Sequence, residues 1–143
     1  MVKNFQILSY TDTPLGPLCL RKRQTLSEPR TWLTEVTLNH EFLMSSLNTD
    51  SERALAQLAI DHLEGDALRI LIGGLGLGYT AWAALQIARV RRVEVIEFLP
   101  DVVQWLDDGL TPPGEHPRAP SGTRFRSDID ETLLDGNLQK IMV

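Results

Sequence analysis

The sequence predicts an α/β fold: a parallel sheet of nucleotide-binding βαβ type, about four strands long, preceded by a small N-terminal antiparallel β segment. Three observations carry this. An apolar run of strand type (Leu68, Ile70, Leu71, Ile72) empties into Gly73-Gly74-Leu75-Gly76-Leu77-Gly78, and Tyr79 to Ala88 then favours a helix. Glycines suit such a turn because it demands positive φ and because a ligand approaches a backbone closely only where no Cβ intervenes. The amino end of the new helix offers N–H groups to a polar or anionic ligand. The second observation is the run Val93-Glu94-Val95-Ile96, which ends at Glu97 and Phe98. Glu97 lies about 20 residues beyond the glycines, where βαβ units place the acid that holds ribose hydroxyls. Third, the pattern is Gly74-x-Gly76-x-Gly78 with Tyr79 following, so the last glycine of the dinucleotide fingerprint is missing. That favours an adenosyl ligand without pyrophosphate over NAD or FAD. A glycine-bearing turn packed for its own sake is the competing reading, and the acid at the second strand's end weighs against it.

The elements follow in order. Phe5 to Tyr10 is strand-forming, and Thr11-Asp12-Thr13-Pro14-Leu15-Gly16-Pro17 is dense in turn chemistry, which predicts a hairpin returning through Leu18 to Arg23. Thr31 to Leu38 gives a third strand, so an antiparallel sheet is expected over residues 4–38. Asn39 to Asn48 is expected to connect, with Phe42, Leu43, Met44 and Leu47 packed on the edge of the α/β core. Asp50 or Ser51 is placed to cap a helix bearing Ala54, Leu55, Leu58, Ala59, His62 and Leu63 at helical spacing, with Gly65 ending it. After the glycine turn, Trp82, Leu85 and Ala88 are expected to face the core. Pro100 suits the first turn of a helix over Asp101 to Leu106, with Trp105 inward. Thr111 to Gly122 reads as a loop and Thr123 to Phe125 as a third parallel strand. Asp128, at that strand's carboxyl end, is a candidate acceptor for an adenine amino group and equally a cap for a short helix Ile129 to Leu134. Lys140 to Val143 begins a fourth strand. Residues 1–48 and 49–143 are the two expected segments of one folded unit.

Composition bounds the function classes. A chain of 143 residues suffices for one domain with a real core but not for a complete two-domain enzyme. Net charge is −5 with dispersed cations, which argues against nucleic acid or anionic lipid as partner. Arg21-Lys22-Arg23 and Arg89, Arg91, Arg92 read as solvated ends of a strand and a helix. Cys19, the single cysteine, has no disulfide partner and sits in a strand. His62 reads as a boundary residue on its helix rather than a ligand, and His40 and His116 have no partner at metal spacing, so no metal site is expected. Without a secretory h-region or a run of roughly 20 apolar residues, a cytoplasmic location is expected.

ILIGGLGLGYT, VEVIEFLPDVVQWL and FRSDIDETLL resemble the Rossmann-type core of spermidine synthases and spermidine synthase-like proteins, within the S-adenosylmethionine-dependent methyltransferase superfamily. YTDTPLGPLCLRKR and EVTLNHEFLMSS are similar to the N-terminal β segment of the bacterial spermidine synthase-like group. The resemblance covers nearly all of the chain. It implies that Gly74, Gly76 and Gly78 meet the methionine side of the ligand, Glu97 the ribose hydroxyls and Asp128 the adenine edge. Gly73 and Phe98 complete the candidate cofactor-binding set. The implied ligand is S-adenosylmethionine, its decarboxylated form, or methylthioadenosine as product, and the implied acceptor is a polyamine. The family's catalytic aspartate follows the fourth strand, past Val143, and its Gln and Tyr-His element has no counterpart here, where Asn39-His40 and Ser51-Glu52 stand. No catalytic residue is therefore assigned.

A sheet of this class truncated after about four strands exposes an edge and apolar faces, so a second copy or another chain is expected to cover them. Two function classes follow. One is a transferase fold binding an adenosyl ligand, with aminopropyl or methyl transfer as the family reaction. The other is a non-catalytic subunit that uses the half-fold as a binding surface.

Overall fold

The computed structural model describes residues 4–112, 123–126 and 139–142, the last two segments as backbone, and the chain divides into two compact units, Met1–Asn48 and Thr49–Val143. The first unit is an antiparallel meander of β1 (Phe5–Thr13), β2 (Gly16–Gln24), β3 (Trp32–Leu38) and β4 (Glu41–Ser45), paired in that order. The first hairpin is tighter than its turn-rich sequence suggested. The strands run on to Thr13 and Gly16, and Thr13 Oγ1 accepts from the Leu15 N–H at 3.2 Å while donating to the Gly16 carbonyl at 2.7 Å. Gly16 has φ +107°, and a Cβ there would lie 2.7 Å from Asn39 Oδ1, so a side chain is excluded twice over.

The connecting stretch expected after Leu38 is instead β4. Asn39 and His40 take φ of +50° and +66°, the paired positive values that a two-residue type I′ hairpin requires. Asparagine tolerates that region through its short polar side chain, whereas histidine there carries no such sequence signal. Phe42, Leu43 and Leu47 are exposed rather than packed on an α/β edge. Both edge strands carry a bulge, at Leu8 in β1 and Leu43 in β4, a feature that disrupts the regular ladder a foreign strand would need.

Glu35 on β3 is almost fully buried and lies between two arginines of β2: Arg21 Nε at 3.0 Å and Arg23 Nε at 2.6 Å, one on each carboxylate oxygen. Arg21 also stacks 5.7 Å from the Phe5 ring centroid. The basic triplet read as a solvated strand end is thus partly a counter-ion set for a buried acid. Period-two alternation sends Arg21 and Arg23 to one face and Lys22 to the other.

The second unit opens with α1 (Asp50–Asp61). Thr49 occupies the N-cap position without a side-chain bond, so neither Asp50 nor Ser51 caps the helix. The buried pair is Ala56 and Ile60, with Leu58 exposed, a rotation away from the expected stripe. Apolar residues surround most of this helix, and its docking on α2 (Tyr79–Gln86) selects the buried arc. α1 stops at Asp61 with His62 as its C-cap, short of the expected end at Gly65, and His62 Nδ1 lies 2.7 Å from the Leu58 carbonyl. Arg89, expected to be solvated, donates to the carbonyls of Ile60, Leu63 and Gly65 at 2.8, 2.7 and 3.1 Å. Its cation thereby satisfies carbonyls at the helix's carboxyl end.

The parallel sheet comprises β5 (Leu68–Gly73), β6 (Val90–Ile96), β7 (Thr123–Arg126) and β8 (Gln139–Met142) in the order β7-β6-β5-β8. Ile70, Ile72, Val93 and Val95 are fully buried and form the sheet's apolar face. On α2 the inward residues are Thr80, Ala81 and Ala84, not Trp82, Leu85 and Ala88, because the tight entry at Gly78 sets the helix phase. α3 (Pro100–Asp107) starts on Pro100 and buries Val102 and Trp105. Asp128, the helix expected over Ile129 to Leu134, His116 and all of the expected loop after Pro112 lie outside the described residues.

Candidate functional site at the glycine turn

The site is built where β5 ends. Gly73 pairs with Ile96, and the Gly74 N–H donates to the Ile96 carbonyl at 2.8 Å, carrying the ladder one step past the strand. The backbone then alternates. Gly74, Gly76 and Gly78 hold φ of +91°, +56° and +90°, while the intervening Leu75 and Leu77 are buried. Each leucine anchors the turn by burial, and each glycine takes a conformation that a Cβ would strain. The Gly78 N–H closes the bend on the Leu75 carbonyl at 2.9 Å, and the Gly78 carbonyl accepts from the Trp82 N–H, the first bond of α2. The N–H groups of Tyr79, Thr80 and Ala81 fall in the first turn, where a helix supplies no internal acceptor.

Glu97 reaches this bend. Its Oε2 accepts from the Leu75 N–H at 2.8 Å and its Oε1 from the Leu99 N–H at 2.9 Å. The carboxylate therefore ties the loop after β6 to the glycine turn after β5. Two neutral donors leave an ionised carboxylate further acceptor positions. Among the described residues no cation forms an ion pair with it, in contrast to Glu35 and Glu94.

Of the sequence-predicted residues, Gly73, Gly74, Gly76, Gly78 and Glu97 are brought together, while Asp128 lies outside the described residues. Phe98 follows Glu97 with its ring exposed, and Leu99 turns inward. Sequence reasoning missed the role of the Leu75 and Leu99 N–H groups, which any residue but proline would supply. It also missed Arg53 of α1, whose guanidinium stands 5.6 Å from the Tyr79 ring and 5.8 Å from the Trp82 ring. Burial raises the Tyr79 phenol above its ordinary value of 10.0, Arg53 opposes that shift and Glu52 adds to it. Among the described residues, no group of three or more His, Cys, Asp or Glu could hold a metal, and no helix is long and apolar enough to cross a membrane.

No protein-family model and no curated protein matches the sequence. Solved structures do match the fold. Spermidine synthase from Thermotoga maritima superposes with a TM-score of 0.66 at 13% identity, over 87% of this chain and 42% of its own. A spermidine synthase in complex with the transition state analogue AdoDATO gives 0.65 at 13% identity, over 86% and 40%. A probable spermidine synthase from Corynebacterium glutamicum ATCC 13032 gives 0.54 at 16% identity, over 87% and 44%. The fold is spermidine synthase-like, and the chain spans about two fifths of the length of these structures.

Proposed function

We propose that the glycine turn and Glu97 bind the nucleoside of an adenosyl sulfonium ligand: S-adenosylmethionine, its decarboxylated form, or the product methylthioadenosine. The observation that carries this is the Glu97 carboxylate, hydrogen-bonded to the Leu75 N–H across the bend and unpaired with any cation among the described residues. Ribose hydroxyls are donors that suit its remaining acceptor positions. The left-handed glycines allow the sulfur side of the ligand to approach the backbone, and the first turn of α2 favours a polar group. The AdoDATO complex of a structural neighbour supports an adenosyl ligand of this class.

The reaction such a site serves is transfer of an aminopropyl or methyl group. An amine nitrogen attacks the sulfonium-bound carbon, the carbon–sulfur bond breaks with its electron pair passing to sulfur, and the new ammonium loses a proton to a base. Alignment supplies most of the acceleration in a displacement of this kind, with a base of suitable pKa beside the nucleophile. The base is assigned to no residue here.

Isothermal titration with S-adenosylmethionine, decarboxylated S-adenosylmethionine, methylthioadenosine and NAD tests the site. Saturable binding of at least one of the first three, with NAD silent, is expected. Tight NAD binding or silence toward all four overturns the assignment.

A further inference from the structure

The first turns of α1 and α2 are fastened together just past the glycine turn. Thr80, itself buried, donates from Oγ1 to the Glu52 carbonyl at 3.1 Å, which pins the start of α1 to the start of α2. That contact sets two oppositely charged side chains of α1 beside Tyr79, the residue that follows Gly78. The Arg53 guanidinium stands over the Tyr79 ring, 5.6 Å from its centroid, and over the Trp82 ring at 5.8 Å. Burial is the main cause that raises the Tyr79 phenol, and the charges of Arg53 and Glu52 act on it in opposite directions, so both lie within electrostatic reach of that hydroxyl.

Neither charge is spent on the scaffold. Arg53 is exposed, and among the described residues no carboxylate forms an ion pair with it, unlike Arg21, Arg23, Arg69 and Arg92. The two aromatic rings restrict its guanidinium without consuming its donors, because a cation–π contact is an attraction of the charge to the ring face. Glu52 Oε2 accepts from the Ser51 hydroxyl at 2.7 Å, a neutral donor that leaves the carboxylate its charge and further acceptor positions. Gly73 to Gly78 contribute no ionisable side chain. The charges that the described residues place beside Tyr79 are therefore one cation and one anion, adjacent on α1. Such a pair matches the zwitterionic end of an α-amino acid.

Resting on the nucleoside reading above, we propose that Arg53, with Glu52 beside it, selects the amino acid end of S-adenosylmethionine: the guanidinium donates to the ligand's carboxylate, and the ligand's ammonium donates to Glu52. Glu97 meets the bend at Leu75, and Tyr79 opens α2 at the other end of it. A ligand with its ribose on Glu97 and its sulfur along the glycines brings its tail to Tyr79. The decarboxylated form keeps an ammonium for Glu52 but brings no anion to Arg53, so it forfeits a charge-assisted pair and faces an unbalanced guanidinium. Methylthioadenosine has no tail and is indifferent to both side chains. Three ligands that the glycine turn alone treats alike are thus separated by α1. Its sequence carried no such signal, since Glu52 and Arg53 read as ordinary polar positions on a surface helix.

Isothermal titration of the whole chain with S-adenosylmethionine, its decarboxylated form, S-adenosylhomocysteine and methylthioadenosine ranks the tails directly. S-adenosylmethionine should bind about tenfold more tightly than the decarboxylated form, and S-adenosylhomocysteine about tenfold more tightly than methylthioadenosine, a pair of thioethers that differ in the amino acid end alone. Arg53→Gln should abolish both preferences while methylthioadenosine binds as before, and Arg53→Lys should restore them in part. The ranking on the unmutated protein stands even if the variants fail to fold. Decarboxylated ligand bound as tightly as S-adenosylmethionine, or S-adenosylhomocysteine no tighter than methylthioadenosine, overturns the proposal and leaves the nucleoside reading intact. An equal loss of all four ligands in folded Arg53→Gln also overturns it, since that pattern marks a structural residue. Silence toward all four on the unmutated protein overturns the nucleoside reading itself, and the selection by Arg53 with it.

Discussion

Glu94 and Glu97 stand three residues apart, one inside β6 and one just past its end, yet they are held in opposite ways. Glu94 is buried beside Arg92 and Arg69, as Glu35 of the front sheet is buried between Arg21 and Arg23. Among the described residues Glu97 has backbone N–H partners, Leu75 and Leu99, and no cation beside it. An acid neutralised by guanidinium groups is spent on structure. One held by neutral donors at a strand's carboxyl end keeps its charge and acceptor positions for another molecule. The difference separates scaffold from candidate site within a single strand.

The largest expected effect tests the scaffold half. Glu94→Gln should lower stability by about 2–3 kcal/mol, since it leaves partly buried cations without their counter-charge, and Glu35→Gln should cost a similar amount because its two arginines are about as exposed. Urea unfolding measures both. Nucleoside affinity in folded Glu94→Gln should stay unchanged, and a parallel loss would erase the distinction. Glu97→Gln should do the reverse, weakening the adenosyl ligand roughly tenfold, about 1.5 kcal/mol, with a smaller change in the unfolding midpoint. Titration calorimetry on the folded variant decides that.

Gly78→Ala should cost about 1 kcal/mol in stability, because φ of +90° strains any Cβ even though the nearest side-chain atom, Leu75 Cδ1, is 4.0 Å away. A neutral result would mean the turn relaxes without its left-handed cap. The smallest effect is spectroscopic. Burial raises the Tyr79 phenol, so its neutral form contributes stability that is complete below the unfolded value and disappears as pH rises through the folded one. Phenolate absorbance should show a component above pH 10.0 that Tyr79→Phe removes.

Much of the fold was legible because it depends on local signals. The apolar runs of β5 and β6, the glycine turn, Pro100 at the start of α3 and the first two hairpin strands each follow from short-range chain stereochemistry and side-chain periodicity. The strand β4 was not legible. Its turn uses Asn39-His40 rather than a glycine pair, and its bulge at Leu43 breaks the alternation that would have announced it. The inward arcs of α1 and α2 were also misread, since several apolar arcs were available and packing chose among them.

By itself the sequence determined where a backbone could bend without Cβ atoms and where an acid would follow, because dihedral freedom and charge belong to individual residues. Tertiary structure alone decided that Glu97 meets the Leu75 N–H, that Arg89 closes α1, and that Glu94 is buried beside Arg92 and Arg69. Those facts depend on register and crossover hand, which bring together residues that no local interaction links.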